Sequence, residues 1–474
     1  MESLKFLLFA GVLSATFTWL SIPLILHRVA PFFKVRLPGL RDLHEENIPR
    51  LGGIGILFGL VCTIICFEWM PLDNREIELP SILDTKILVL CLGSISVWIL
   101  GFLDDIINLK ARWKLPAQLA IAFMTAYYGF RIQVIELPFL GANTDIGYLS
   151  WPVTVLWIVG VMNAVNLIDG MDGLAGGVVI TSSAVLVLIT FLNDEIAVAL
   201  LLMMVLGATF GFWLFNRPPA VIFMGDSGSH LVGYLLAILS LWATENSRNS
   251  QTLTPLLVLA VPLIDTMFAL FRRYLKGIPF YSADRDHLHH RLLNKGFSPE
   301  QTVWLMIGIS VIYGSLGGMM FFVPKLQGFA FLGAVLMSYF ILYWMEYDVV
   351  RRPFSSALKQ SDHKRKRNLM LALAKEIDDY LSKDPDIDSI LRSFCYWTDL
   401  AGVSRMELYQ KSSMIKGHGP IDLSHRRILF SKNEWEVRLA LSETNWTLDS
   451  DVKNELLEHV SLALINRLEQ LDSH

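Results

Sequence analysis

Charge is scarce in this chain. Only 18% of its 474 residues are Asp, Glu, Lys or Arg, where a soluble domain carries about a quarter. Such a deficit excludes an ordinary water-soluble globule. Cysteine is scarcer still. Cys62, Cys66, Cys91 and Cys395 form no C-x-x-C pair, and three of them lie inside apolar blocks. They read as small buried hydrophobes, not as disulfide partners or metal ligands. No Walker loop, dinucleotide fingerprint or convincing Ser-His-Asp arrangement is present, so P-loop hydrolysis, Rossmann-type redox chemistry and serine acyl transfer drop out. The net charge is −4, and nucleic acid is not an expected partner.

What the chain has in abundance is apolar length. Hydrophobic residues make up 53%, gathered in blocks of about 16–24 residues, the length that crosses a hydrocarbon core of about 30 Å. About eleven spans can be read, at roughly 4–26, 51–67, 86–103, 115–130, 151–168, 174–192, 196–215, 228–245, 254–271, 302–322 and 326–346. The first is too long for a signal-peptide core and lacks a small-residue cleavage site, so it reads as a retained helix. Segments 27–50, 104–114, 216–227 and 272–301 hold about fifteen Lys and Arg, and the alternate segments only about four. The positive-inside rule puts the basic set in the cytoplasm, giving an N-out, C-in all-α polytopic membrane protein. Every chemically loaded segment then falls on one face.

Asp104 and Asp105 close the third span. Adjacent helical residues point about 100° apart, so one can face a cavity while the other caps; a plain interfacial cap is the simpler reading of the pair alone. Asn166, Asp169 and Asp172 are spaced by three, which on a helical turn puts them on one face. Gly170, Gly173, Gly176 and Gly177 would let backbone or ligand approach; polar packing at a helix end is the alternative. Asp226, Ser227 and Ser229 open the eighth span with helix-start N–H groups suited to phosphate and a hydrated cation, although such a string also makes ordinary turns. His287, His289 and His290 lie among Arg285, Arg291 and Lys295, without the spacing or cysteine of a zinc site. Cationic and hydrogen-bonding groups over an anion fit better. Oxygen donors at one end and basic groups at the other favour Mg²⁺ or Mn²⁺ and phosphoryl transfer, with a lipid phosphate as one substrate.

Five strings, PRLGG (49–53), GFLDD (101–105), NAVNLIDGMDGLAGG (163–177), FMGDSGS (223–229) and DRDHLHHRLLNKG (284–296), resemble, in order, the motifs of the polyprenyl-phosphate N-acetylhexosamine-1-phosphate transferases (glycosyltransferase family 4). The HLHHRLL version is similar to the branch that starts O-antigen, common-antigen and teichoic-acid linkage units, not to the phospho-N-acetylmuramoyl-pentapeptide translocase. The resemblance implies a UDP-N-acetylhexosamine donor, UDP-N-acetylglucosamine foremost, and undecaprenyl phosphate as acceptor, with release of UMP at the cytoplasmic face of the bacterial inner membrane. It implies Asn166 and Asp226 as holders of Mg²⁺ and Asp104 as the carboxylate that orients or deprotonates the lipid phosphate, with Asp105 beside it. Asp169 and Asp172 would stand near nucleotide and metal. Arg285, His287, His289 and His290 would meet the donor's phosphates, and Arg112 and Lys114 the entering lipid phosphate. Asn108 departs from the pattern where some relatives carry an acid, and His230 is assigned no function. Direct attack by the lipid phosphate is the favoured route, a covalent phospho-aspartate the alternative.

After the transmembrane part, 1–350, a basic linker at 351–370 precedes a separate α+β segment at 371–474. Helical periodicity marks 368–381 and 452–468, and VSRMELYQK, HRRILFS and WEVRLALSE read as strands. This segment faintly resembles a GAF-type sensory module and would regulate, dimerise or dock a downstream glycosyltransferase. Rival classes are a cation-coupled transporter, an intramembrane aspartyl protease and a membrane-anchored sensor. The first lacks an internal repeat here, and the second needs no histidine-rich basic loop.

Overall fold

The structure is a computed structural model that describes residues 2–32, 48–69, 84–136, 143–245, 253–276, 287–345, 403–410, 413–418, 426–432 and 435–441. The chain divides into two compact units, Met1–Phe271 with Ala283–Val350, and Arg272–Ser282 with Arg351–His474.

The first unit is a helical bundle with the character of a multi-pass membrane protein. Helix α1 (Glu2–Leu24) runs into a π turn at Ile25–Val29 and is followed by α2 (Gly52–Trp69), α3 (Thr85–Ile107) and α4 (Ala111–Tyr127). A two-stranded ribbon, β1 (Val134–Glu136) against β2 (Asn143–Asp145), leads to α5 (Ser150–Ile168), α6 (Leu174–Leu192), α7 (Ile196–Asn216) and α8 (Gly225–Glu245). Then come α9 (Thr254–Val258), α10 (Ala260–Lys276), α11 (Leu288–Asn294), α12 (Pro299–Phe322) and α13 (Gln327–Trp344). All eleven expected spans fall on helix. Among the described residues, nine helical stretches are long and apolar enough to cross a membrane. The fourth expected span, α4, has 17 residues, about 25 Å of rise. The ninth is broken, because α9 stops at Val258 and α10 begins at Ala260.

The centre of this bundle is α8, whose residues Leu231 to Leu239 are all buried. It packs against α2, α3 and α5, while α1 lies along α7 and α6 along both α7 and α12. Glycines allow the closest approaches: a Cβ on Gly207 or Gly211 of α7 would collide with the Gly11 or Ala15 carbonyl of α1, the small-residue contact expected where lipid gives helices no hydrophobic drive to associate. Several polar side chains inside the spans are satisfied locally. Thr63, Ser96, Thr190 and Ser315 each donate to the carbonyl four residues back, which removes the cost of a bare hydroxyl in an apolar medium.

In the second unit the described residues form an antiparallel sheet of order β4-β3-β6-β5, built from β3 (Val403–Gln410), β4 (Ser413–His418), β5 (Arg426–Lys432) and β6 (Trp435–Leu441). β3, β5 and β6 match the three strands expected from the sequence; β4 has no counterpart among them. The helices expected at 368–381 and 452–468, the linker at 351–370 and Cys395 lie outside the described residues.

Candidate active site

The start of α8 is braced from two sides. Phe223 donates its N–H to the Pro49 carbonyl, and Gly52 and Gly53 donate to Phe223 and Met224, all at 2.9 Å. The PRLGG and FMGDSGS strings are thus stitched together as backbone. From α3, Asp105 accepts the N–H of Asp226 at 2.8 Å and of Ser227 at 2.9 Å. Asp105 is therefore a cap, but for a different helix from its own. Gly225 is at φ +74°, where a Cβ would stand 2.8 Å from an Asp105 oxygen, so only glycine fits beneath the cap. This corrects one expectation: the N–H groups of Asp226 and Ser227 are not open to an incoming phosphate, because a carboxylate already holds them.

With α8 fixed, its first side chain meets three other helices. Lys114 of α4 binds Asp104 of α3 at 2.7 Å and also forms an ion pair with Asp226. Asn166, near the end of α5, donates to Asp226 Oδ1 at 3.0 Å and to Ser229 Oγ at 2.9 Å. Asp104 additionally accepts the Leu109 N–H at 2.6 Å. That bond and the left-handed Asn108 (φ 55°) turn the chain from α3 toward α4; asparagine tolerates this conformation better than most residues, which explains why it stands here. One turn deeper, Gln118 and Asn163 pair through their amides, at 2.9 Å for the shorter bond, and tie α4 to α5 beneath Lys114 and Asn166.

Asn166, Asp169 and Asp172 do not share a helical face as their spacing suggested. Helix α5 ends at Ile168, with Asp169 as its C-cap, and Gly173 at φ +75° starts α6. Of the three, only Asn166 is in the helix. Asp172 accepts the Ala220 N–H at 2.9 Å, and Asn216 accepts the Gly173 N–H at 3.0 Å, so this turn is moored to the connection between α7 and α8. Asp169 is partly exposed as a residue, yet its carboxyl is enclosed. Burial, with the Asp226 and Asp105 charges adding to it and Arg50 opposing, pushes its pKa well above the usual carboxylate range.

The histidine segment forms a short helix, α11, with His287 as its N-cap residue. His287 and His289 are buried, and their rings lie parallel with centroids 5.8 Å apart; His289 and His290 are 4.3 Å apart. A Cβ placed on Gly170 would stand 3.1 Å from His289 Nε2, which brings α11 against the 169–173 turn. Burial pushes the His289 pKa down to about 3, beyond the opposing pull of Asp265. Burial thus favours the neutral ring of His289 over the cation. Arg112 is exposed, its guanidinium 5.9 Å from the Trp113 ring, and no described contact joins it to the acidic cluster. Arg285 lies outside the described residues. Two participants were not singled out from the sequence: Arg50, near enough to act on the Asp169 charge, and Asp265, which binds His287.

Residues 87–244 match the family model for glycosyl transferase family 4. The "probable undecaprenyl-phosphate N-acetylglucosaminyl 1-phosphate transferase" of Bacillus subtilis is 34% identical over 277 residues, 58% of this chain and 74% of that protein. The chain belongs to glycosyl transferase family 4. Two further relatives are the decaprenyl-phosphate N-acetylglucosaminephosphotransferase of Mycobacterium leprae, 30% identical over 71% of this chain and 89% of that protein, and the undecaprenyl-phosphate alpha-N-acetylglucosaminyl 1-phosphate transferase of Escherichia coli K12, 26% identical over 59% and 74%. The matched family 4 region holds Asp104, Asp105, Lys114, Asn166, Asp169, Asp172 and Asp226, and stops short of Arg50, Asp265 and α11.

Proposed function

We propose that this protein transfers N-acetylglucosamine 1-phosphate from UDP-N-acetylglucosamine to undecaprenyl phosphate, releases UMP, and so starts a lipid-linked surface glycan of the O-antigen, common-antigen or teichoic-acid kind. The observation that carries the reading is the joint of α3, α4, α5 and α8, where Lys114 links Asp104 to Asp226 and Asn166 bonds Asp226, at the ends of membrane helices. The excess of Lys and Arg in the connecting segments on that side supports a cytoplasmic site in the inner membrane.

The donor set suits Mg²⁺, or Mn²⁺. Lys114 already holds a positive charge between two carboxylates, so the cluster accepts a cation. Among the described residues no three His, Cys, Asp or Glu side chains converge on one point; an ion held here would keep water and phosphate oxygens in its shell, as Mg²⁺ does. Asn166 and Asp226 would hold it. When bound, it would draw charge from the donor's diphosphate as the transition state forms.

The chain's own groups do the rest. A phosphate monoester is mostly ionised at neutral pH, its second pKa being about 6, so Asp104 needs only to orient the acceptor or take a residual proton. Lys114 offers the acceptor a partner next to Asp104. An acceptor oxygen attacks the sugar-bearing β-phosphorus, the bond from that phosphorus to the bridging oxygen breaks, and UMP leaves with that oxygen. Asp105, with both oxygens engaged, positions Asp226. Asp169 and Asp172 shape the turn that faces α11.

The test is incubation of membranes carrying the protein with labelled UDP-N-acetylglucosamine, undecaprenyl phosphate and Mg²⁺. A lipid-linked product that added UMP reverses is expected. Absence of such a product with every UDP-N-acetylhexosamine would refute the reading. Exchange of labelled UMP into donor without lipid would replace direct attack by a phospho-aspartate route.

A further inference from the structure

The histidine helix is held by a residue that none of the motifs contains. Asp265 sits in the apolar first part of α10 and is 0% exposed. A lone carboxylate at such a place is costly unless its oxygens are engaged, and both are. Oδ2 meets His287 Nδ1 at 3.0 Å, and Oδ1 accepts the N–H of Leu288 at 2.9 Å. Leu288 is the first residue of α11, and the His287 side chain makes no cap bond of its own. Asp265 therefore supplies, from another helix, the acceptor that an N-cap side chain ordinarily provides.

Two consequences follow from one carboxylate. The start of α11 is pinned, and with it the stand of His289 against Gly170. The orientation of His287 is pinned as well: a proton on Nδ1, directed at the carboxylate, leaves Nε2 as the atom that other groups can use.

We propose that Asp265 is the positioning residue of the HLHH segment, holding His287 with its Nδ1–H on the carboxylate so that Nε2 serves the UDP-sugar. The proposal rests on the transfer reaction inferred above. Asp265→Asn keeps the shape of the side chain but presents an NH₂ that forces the His287 proton to Nε2. The expected result is a fall of about 10–100-fold in kcat/KM for UDP-N-acetylglucosamine, with KM for undecaprenyl phosphate unchanged. His287→Ala should cost a similar factor, and the double variant no more than the worse single one, because the two residues act as a unit. Losses that multiply, an unchanged kcat/KM, or an equal change in both KM values would overturn the proposal. A second measurement stands apart from turnover and from the folding of any Asp265 variant. In wild-type protein carrying ¹⁵N-histidine, with the His287 signal identified by its loss in His287→Gln, the proton should be found on Nδ1. Finding it on Nε2 alone would overturn the proposal. A wild-type protein that transfers nothing would refute the reaction and leave that spectrum to decide the role of Asp265.

Discussion

The acidic cluster and the histidine helix are built by different electrostatic means. At the cluster, charge is met by charge: Lys114 serves Asp104 and Asp226, and Asn166 adds hydrogen bonds from a fourth helix. At His289 in α11, burial disfavours charge. His289 is kept neutral by burial, its Nδ1 has no partner among the described residues, and the start of the helix is pinned by the carboxylate of Asp265. On the proposed reading, the difference would leave the cluster to hold a cation and phosphate, while His289 would offer a neutral ring from an adjacent wall. A charged arm would compete with the cluster for the same anions.

The comparison breaks most sharply at Asp226. Its replacement by Asn should abolish turnover, by about a thousand-fold or more, and the response to Mg²⁺ with it. Product formation against Mg²⁺ concentration checks this, and a variant that turns over normally would remove Asp226 from the metal site. Next in size is Lys114→Met, which leaves two carboxylates facing each other. Their side chains are only 12% and 26% exposed, so solvent screens little, and loss of the shared cation should cost about 3–5 kcal/mol of stability. Melting of the purified protein should show the drop, and Mg²⁺ should raise the variant's Tm more than the wild type's. Equal Mg²⁺ responses would mean that the two cations do not share a place.

Much of the cluster was readable in the sequence, because an acid at the end of an apolar span has few physical excuses. Asp104, Asp105 and Asp226 stand at such ends, and the structure gathers all three. The readable part stopped at conformation. Spacing by three suggested one helical face for Asn166, Asp169 and Asp172, but α5 ends at Ile168, before two of the three. Open N–H groups were expected at the start of α8, yet Asp105 from α3 covers them, a long-range pairing that no local pattern encodes. Asp265 left a signal that could have been used. It is a lone acid in an apolar stretch, "AVPLIDTMFALF", and such a residue demands a partner elsewhere in the chain.

Asp105→Asn should act on the cluster alone. An amide cannot accept both N–H groups of α8 with both of its heavy atoms, so one donor is stranded, at about 1–3 kcal/mol. A lowered Tm and a reduced kcat with little change in either KM should result, since Asp226 shifts while the substrate walls stay. A KM effect of the same size would give Asp105 direct contact with substrate.

The histidine arm has its own, smaller signature in the pH dependence of stability. The ordinary histidine pKa is 6.5 and that of His289 lies at about 3. Below about pH 6.5 the unfolded chain takes up a proton that the folded protein refuses, so the stability contributed by the neutral buried ring is complete above that pH and declines as pH falls toward 3. The slope is at most about 1.4 kcal/mol per pH unit from this one group. His289→Gln has no proton to refuse, and its melting temperature should fall less steeply than the wild type's between pH 6.5 and 5. Lys114→Met should keep the wild-type slope in that window, because the change lies in the cluster and not in the arm. Parallel curves for wild type and His289→Gln would mean that His289 is charged in the folded protein, and the contrast between a charged cluster and a neutral wall would be lost.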